Sequence, residues 1–549
     1  MCYSGYLSAE NLPEIDMKSQ VLLTGLLIMA DWIASNTYYF PLIESDKVSL
    51  GSFNESLKNH KVRVTNAWKK LSLPHIWCPG LLSIDSSEFN NTFGFMPNNV
   101  QKTILDVIEN SDNPGIFILE SQMGSGKTEA ALAAAELLAG KCGCGGLFFG
   151  LPTQATANAI FSRMKPWAES QSESAVHAIR LAHGMAEMND DYQDLFLGNS
   201  NTNDEDENKT GNLVIHSWFK GRKQALLANF VIGTIDQFLM AALKQKHVML
   251  RHLGLAGKIV IVDECHAYDA YMNQFLDRSL NWLGVYNVPV ILLSATLPAR
   301  RRTELINSYL NKRGAHDVEN DEWKTAKSYP ILTWTDGQSV SQKSIISQSD
   351  KHKINVGFLS DENISGYLKT KLLYGGCAGI IVNTVGRSQK LAKKIKCDFP
   401  DFDVLLFHSQ FIMPDRAHKE TELIQRIGKQ STPLSRKNVI VIGTQVLEQS
   451  LDIDFDVLIT DLCPMDLLLQ RMGRLQRHKR ERPENLKDAE CIIIENEESV
   501  KIYTGWLLTK TRQLIPEYVT LPDDIPSLIQ HTYDEPDINM LNSDMKKLW

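Results

Sequence analysis

No histidine precedes His60 in this chain of 549 residues. A nuclease centre that holds two metals on several His and Asp side chains therefore cannot be assembled from its N-terminal region. Cysteine is also sparse: nine residues, odd in number and scattered, which fits a reducing cytoplasm and excludes a disulfide-built secreted domain. Cys142 and Cys144, in Lys-Cys-Gly-Cys-Gly-Gly, have no second pair nearby and read as a turn from helix to strand rather than half a zinc site. Excess basic charge is missing too. The net charge of −8 excludes a protein coated in Lys and Arg, but it leaves room for a local groove that grips one nucleic-acid strand through backbone, hydroxyls and a few cations. The longest apolar stretch, Val21 to Ala34, contains Asp31. It is too short to cross a bilayer and is expected to be a buried helix. No basic segment followed by an apolar core and a cleavage site opens the chain, so the expected location is cytoplasmic, with no membrane partner.

What is present begins with Ser121-Gln-Met-Gly-Ser-Gly-Lys127-Thr128, set between the apolar run Ile116–Leu119 and an Ala-rich helical run from Glu129 to Leu138. Phosphate binding needs that order: a strand delivers the loop, Gly124, Ser125 and Gly126 let backbone N–H groups turn inward, and the helix N-terminus adds partial positive charge. Lys127 is expected to reach the β- and γ-phosphates of ATP and Thr128 to hold Mg²⁺. Ser121 replaces the glycine that usually opens the pattern. A second motif, Lys258-Ile-Val-Ile-Val-Asp263-Glu264-Cys265-His266, is an apolar strand ending in adjacent carboxylates. Asp263 is expected to bind Mg²⁺ and Glu264 to polarise the attacking water.

Length alone suggests about three or four domains. Short β-branched runs alternate with helical stretches from Gly115 to about Thr296, and the alternation resumes after a less patterned linker near 300–353. This is an α/β pattern, two tandem parallel-sheet lobes. The expected division is a helical segment at 1–70, a linker at 71–114, a first lobe at 115–330, a second lobe at 331–500 and an incomplete accessory region at 501–549. A polar, acidic insert at 198–208 reads as a surface loop. Only the first lobe carries a phosphate loop, so the second is expected to contribute across the cleft. Its Gln470-Arg471-Met-Gly-Arg474-Leu-Gln-Arg477 places Arg474 and Arg477 three apart, on one face if helical, able to act as arginine fingers. A solvated basic helix end is the alternative.

In order along the chain these motifs resemble a superfamily-two helicase, and more closely the CRISPR-associated helicase–nuclease of type I systems, from about residue 20 to 500. The resemblance implies a RecA-like helicase core. Phe93, Phe95, Pro97 and Gln101 resemble an adenine-side element. Leu151-Pro-Thr153-Gln154-Ala-Thr156-Ala-Asn158 and Gly233-Thr234-Ile-Asp236-Gln237 resemble strand-binding motifs. Asp263–Asp269 and Ser294-Ala-Thr296 resemble motifs II and III, and Ser294 with Thr296 should couple the Asp263 site to the strand groove. Asn383-Thr384-Val-Gly-Arg387, His408-Ser409 with Asp415-Arg416, and Gly443-Thr444-Gln445 through Glu448-Gln449-Ser450-Leu-Asp452 resemble motifs IV to V. By the same resemblance Asp452 and Gln470 join the nucleotide contacts, while Thr153, Gln154, Thr156, Asn158, Thr234, Asp236, Gln237, Thr384, Arg387, His408, Thr444 and Gln445 face nucleic acid. The threonines suit phosphate contacts that ignore base sequence; each could equally cap a helix.

The family's full-length members begin with an HD nuclease. Ala30-Asp31-Trp-Ile-Ala-Ser35 matches its last motif, with Asp31 at a ligand position, but standing alone Asp31 is expected to end a helix in a remnant rather than hold a metal. His316-Asp317 has no companion ligands. The chain is expected to be truncated or split at both ends. The resemblance implies an ATP-dependent single-stranded DNA translocase and helicase, 3′-to-5′ and monomeric, recruited by a CRISPR surveillance complex, with a separate HD nuclease subunit as a further partner. An RNA helicase of the DExH type and a non-catalytic docking module are the competing readings.

Overall fold

The computed structural model describes residues 14–42, 53–79, 83–172, 175–189, 191–193, 195, 213–266, 270–311, 322–326, 328–346, 351–448 and 451–534. The acidic insert, Asp269, His316-Asp317, Gln449-Ser450 and the last residues from 535 lie outside these. The first sheet uses β1 (Pro114–Glu120), β2 (Leu147–Leu151), β3 (His177–Ala182), β4 (Leu213–Val214), β5 (Phe230–Thr234), β6 (Ile259–Val262), β7 (Val290–Ser294), β8 (Ile331–Asp336) and β9 (Ser339–Ser344), in the order β4-β3-β5-β2-β6-β7-β1-β8-β9. Its strands are parallel through β1, and β8 and β9 then add antiparallel. The second sheet runs β12 (Asp403–Phe407), β13 (Val439–Gly443), β11 (Cys377–Ile381), β14 (Val457–Asp461), β15 (Ala489–Ile494), β10 (His352–Leu359), β16 (Tyr518–Leu521), parallel except for β16.

Period-two alternation explains why both sheets are covered on both faces. On β1, Phe117 and Leu119 join one core with helices Asn99–Glu109, Lys127–Cys142 and Gln154–Ser170. Ile116 and Ile118 join the opposite core with helices Ala270–Val285 and Ala299–Tyr309. In the second lobe Ile381, Val439 and Val441 face one core, and Ile380, Ile440 and Ile442 the other. All the parallel strands of a sheet point the same way, so the turns at their carboxyl ends collect on one rim, where ligand loops of such sheets form.

Three expectations need correction. Residues 331–344, placed with the second lobe, belong to the first sheet, because β8 pairs with β1 from Glu120↔Ile331 to Pro114↔Asp336 and turns back through Gly337 at φ +60°. The region after 500 is no separate accessory start: β16 pairs with β10, and Leu508, Ile515, Ile525 and Ile529 enter the second lobe's core. Helix Met17–Ala34 is not buried. Val21, Gly25 and Ile33 are buried and Met29 and Trp32 pack partly against the core, with Gly25 so close to helix Val248–Ala256 that a Cβ would meet the Met249 carbonyl oxygen at 2.5 Å. Leu23, Leu26 and Leu27 are exposed, Leu27 by 69%. At 18 residues this helix is long and apolar enough to span a membrane by length and composition alone, which the shorter stretch read from the sequence was not.

Candidate nucleotide and strand site between the two lobes

The phosphate loop hangs between β1 and helix Lys127–Cys142. Gly124 and Gly126 adopt φ of +81° and +77°, a left-handed geometry that glycine takes without a Cβ penalty. Gly126 stands at the helix N-cap with no side-chain cap, so the first-turn N–H groups are not claimed by a cap and suit an anion. Lys127 Nζ donates to the Ser121 carbonyl at 2.7 Å, and the hydroxyls of Ser121 and Ser125 bond at 2.7 Å. The serine that breaks the usual pattern thus stiffens the loop from inside. Gln101 backs it: its Oε1 accepts from the Asn98 N–H at 2.8 Å and its Nε2 donates to the Gly126 carbonyl at 3.2 Å. A Cβ at Gly126 would meet that Nε2 at 2.4 Å. Phe89, Phe93 and Phe95 cluster on the preceding turn, with ring centroids 4.6–6.4 Å apart.

Asp263 follows β6 and sits beside β7. Burial, reinforced by neighbouring Glu264, lifts its carboxyl to about 7. Two adjacent carboxylates in a low-dielectric site repel, and a divalent cation would relieve them. Glu264 has φ +50°, a costly conformation away from glycine. Its buried Oε2 has no hydrogen-bond partner in the protein and lies 3.5 Å from His266 Nδ1. With the uncapped loop, this donor set fits Mg²⁺ and a nucleotide triphosphate. His266 makes the first bridge across the cleft. Its Nδ1 lies 2.9 Å from Ser294 Oγ and its Nε2 2.6 Å from Gln470 Nε2. Since an amide N–H can only donate, Nε2 is the acceptor and Nδ1 carries the proton; burial holds this imidazole at about 4, hence neutral. Ser294 Oγ in turn donates to the Thr296 carbonyl at 2.9 Å, joining motifs II and III to Gln470 of the second lobe in one chain of bonds.

Arg474 and Arg477 do reach the loop, but not from a helix face. Helix Met465–Met472 ends before them, and Gln476 at φ +48° turns the chain while Leu475 bridges Phe455. Arg474 is 3% exposed, donating to the carbonyls of Leu451 (2.7 Å) and Glu448 (2.8 Å), with Met123 Sδ of the phosphate loop at 3.7 Å. Burial, with Arg477 beside it, pulls its guanidinium down to about 9, so a nearby anion would be welcome. Arg477 Nη2 would lie 3.2 Å from a Cβ built on Gly124, and its Nε pairs with Asp452 Oδ1 at 3.1 Å. The two lobes leave a cleft of about 260 Å³ here, lined by Gln122, Met123, Thr296, Gln470 and Arg477.

The residues expected to face nucleic acid gather on the carboxyl rims. Leu151 pairs with Thr234 across β2 and β5, and Ile381 and Phe407 both align with Gly443. Thr153, Gln154 and Asp236 are exposed there, while Thr156, Thr234, His408 and Thr444 are buried. Thr153 and Thr384 cap their helices through their hydroxyls; Thr234 and Thr444 occupy N-cap positions without a side-chain bond. Asn158 Oδ1 is 2.9 Å from His183 Nε2, Gln237 Oε1 accepts from Arg251, and Gln445 Nε2 donates to the Asn383 carbonyl and Tyr503 hydroxyl. Arg387 is not a loose cation: it pairs with Asp461 at 3.0 Å and with Asp361. His408 stacks on Phe411 at 4.3 Å. Asp31 is exposed, and no group of three or more His, Cys, Asp or Glu poised for a metal occurs among the described residues.

Sequence reasoning missed the scaffold of the arginine turn. Asp454, fully buried, accepts from the Arg477 N–H at 2.9 Å and lies 2.7 Å from Arg480 Nε and 3.0 Å from Arg482 Nη2, while Asp456 pairs with Arg436 at 2.7 Å and with Arg482. The readable signal was there: acids two apart at Asp452, Asp454 and Asp456, whose side chains share a face in extended chain, followed by Arg477, Arg480 and Arg482.

Residues 98–305 match the DEAD/DEAH box helicase model, residues 374–480 the C-terminal model of the CRISPR-associated nuclease/helicase Cas3, and residues 4–40 the Cas3 HD domain. The CRISPR-associated nuclease/helicase Cas3 of Streptococcus thermophilus is 45% identical over 542 residues, covering 97% of this chain and 57% of the relative. The chain belongs to the Cas3 family. A crystal structure of T. fusca Cas3 with ATP superposes with a TM-score of 0.83 at 30% identity, covering 97% of this chain and 63% of the other. A chain in a CRISPR RNA-guided surveillance complex before nicking gives 0.75 at 27% identity, covering 97% and 60%. This Cas3-family chain thus spans about three fifths of the length of these relatives, and its two sheets are the RecA-like helicase core.

Proposed function

We propose that this chain is an ATP-dependent translocase and helicase on single-stranded DNA, moving 3′-to-5′. The observation that carries the reading is the meeting of Arg474 and Arg477 of the second lobe with Met123 and Gly124 of the first lobe's phosphate loop. A triphosphate on that loop would be pinched by both lobes, so binding favours closure and hydrolysis releases it. Lys127 exchanges its Ser121 carbonyl for the β- and γ-phosphates; Glu264, with an unengaged Oε2, orients the attacking water; Arg474 and Arg477 stabilise charge on the transferring phosphoryl group. Thr128 and Asp263 would hold Mg²⁺, which supplies charge neutralisation there. Asp452 parks Arg477, and Gln470 reports closure to His266. Thr153, Gln154, Asp236, Thr384 and Thr444 line the rims where a DNA backbone is gripped without base contacts, so a closing step advances the strand.

That T. fusca Cas3 was crystallised with ATP supports the nucleotide assignment, and the surveillance-complex relative supports recruitment by such a complex to foreign DNA. Cytoplasmic location and a monomeric state complete the proposal. The test is ATP turnover by the wild type and Lys127→Ala with single-stranded DNA and with RNA. Turnover abolished by K127A and stimulated by DNA rather than RNA is expected; stimulation by RNA alone favours the DExH RNA reading, and no turnover by the wild type favours a docking module.

A further inference from the structure

Helix Ala299–Tyr309 follows motif III directly, and its N-cap is Pro298, which offers no side-chain cap. Its leading N–H groups therefore need a partner from elsewhere. One comes from the other lobe: the Ala299 N–H donates to Gln530 Oε1 at 3.1 Å. Gln530 is aimed by its own Nε2, which donates to Asp534 Oδ1 at 2.6 Å. One turn further along the same helix, Arg302 grips Glu120, the last residue of β1 before the phosphate loop, through two bonds of 2.5 and 3.1 Å, with both side chains almost fully buried. The C-terminal turn of the Ile525–Tyr533 helix is thus linked, through one rigid element, to the stem of the loop.

The same C-terminal turn also reaches the segment that carries the arginines. The Tyr533 hydroxyl donates to Asp466 Oδ1 at 2.6 Å, in the first turn of the Met465–Met472 helix that carries Gln470 and delivers the arginine turn. Ile525 and Ile529, N-terminal to both contacts, anchor the helix in the second lobe's core. A continuous path therefore runs behind the cleft, from Glu120 through Arg302, Ala299, Gln530, Tyr533 and Asp466 to Gln470, made of three helices and three side-chain contacts. Gln530, Tyr533 and Asp466 all lie outside the nucleotide motifs in sequence.

We propose that helix Ile525–Tyr533 is a positioning element that sets the second lobe's arginine turn against the first lobe's phosphate loop, with Gln530 and Tyr533 as its two working contacts. Misplacing a reacting group by about 1 Å costs on the order of a hundredfold in rate, so a strut of this kind acts on turnover and not on nucleotide affinity. The inference rests on the ATP-hydrolysis reading above.

Its test measures DNA-stimulated ATP hydrolysis by the full chain for Gln530→Ala, Tyr533→Phe and the double variant, with K127A as control. Each single variant is expected to lower kcat about tenfold, the worth of one lost hydrogen bond, with KM for ATP within twofold and the thermal midpoint within about 2 °C of wild type. The double variant should turn over no more slowly than the slower single, because the two contacts lie in series and losing either one breaks the path. Wild-type kcat in both singles overturns the proposal, as do losses that multiply in the double variant or that track a falling thermal midpoint. If K127A still hydrolyses ATP, the hydrolysis reading itself has failed; if K127A is inactive while Q530A and Y533F run at the wild-type rate, only the strut has.

Discussion

The phosphate loop of the first lobe and the arginine turn of the second hold their charges by opposite means. The loop is built on small residues and backbone: two glycines at positive φ, an uncapped helix start, and a single lysine whose Nζ donates to the Ser121 carbonyl. The turn is built on buried charge, with Arg477 hung by its N–H from Asp454 and flanked by Arg480 and Arg482 on the same carboxylate. A loop of backbone donors can close on any triphosphate at small conformational cost. A guanidinium that must arrive from another lobe needs its approach fixed beforehand, and a hydrogen-bonded ionic network does that at the expense of desolvating every charge in it.

This contrast can be broken most directly at Asp454. Asp454→Asn strips the counter-charge from Arg480 and leaves Arg482 only Asp456, and is expected to cost about 3–5 kcal/mol, as breaking a buried pair does. Ser121→Ala, which deletes the loop's internal Ser121–Ser125 bond, should cost about 1 kcal/mol. Chemical denaturation of both variants checks this; equal losses would mean that the turn is no more prestressed than the loop.

The phosphate-loop helix supplies a smaller test, because it buries a charge without a cation. Burial holds the Glu136 carboxyl up at about 7 against an ordinary 4.5, although Gln171 donates to it. Between those values the folded chain keeps a proton that the unfolded chain releases. Stability is therefore full below pH 4.5, falls as pH rises toward 7, and is flat above, with a total loss of at most about 3 kcal/mol. Glu136→Gln should remove that slope and be the more stable protein at pH 8, read from melting curves across pH 5 to 8.

How much of this was legible in the sequence follows the same contrast. The loop and Asp263-Glu264 are local patterns: strand, turn and helix lie within a few residues, and the structure places Gly124, Gly126, Lys127 and Asp263 at the ends of β1 and β6 as read. The arginine turn depends on contacts far apart in the chain. Nothing near Arg474 signals that its guanidinium will be taken by the carbonyls of Glu448 and Leu451, or that Gln476 will adopt a positive φ, so spacing alone suggested a helix face. The β8–β9 hairpin was readable from Asp336-Gly337 between alternating runs, but its pairing with β1 was not, since antiparallel addition at a sheet edge leaves no local mark. Helix Met17–Ala34 misled because composition reports that a face is apolar, not what covers it.

The most direct measurement of the central claim is single-turnover ATP hydrolysis by Arg477→Ala at saturating nucleotide and single-stranded DNA, with ATP affinity titrated on the same sample. The account predicts a fall in the hydrolysis rate of about a thousandfold or more, the scale of an arginine finger, with ATP affinity within about threefold and an unchanged melting temperature. Hydrolysis at the wild-type rate would contradict it, because the second lobe would then have no part in the chemistry at the first lobe's loop.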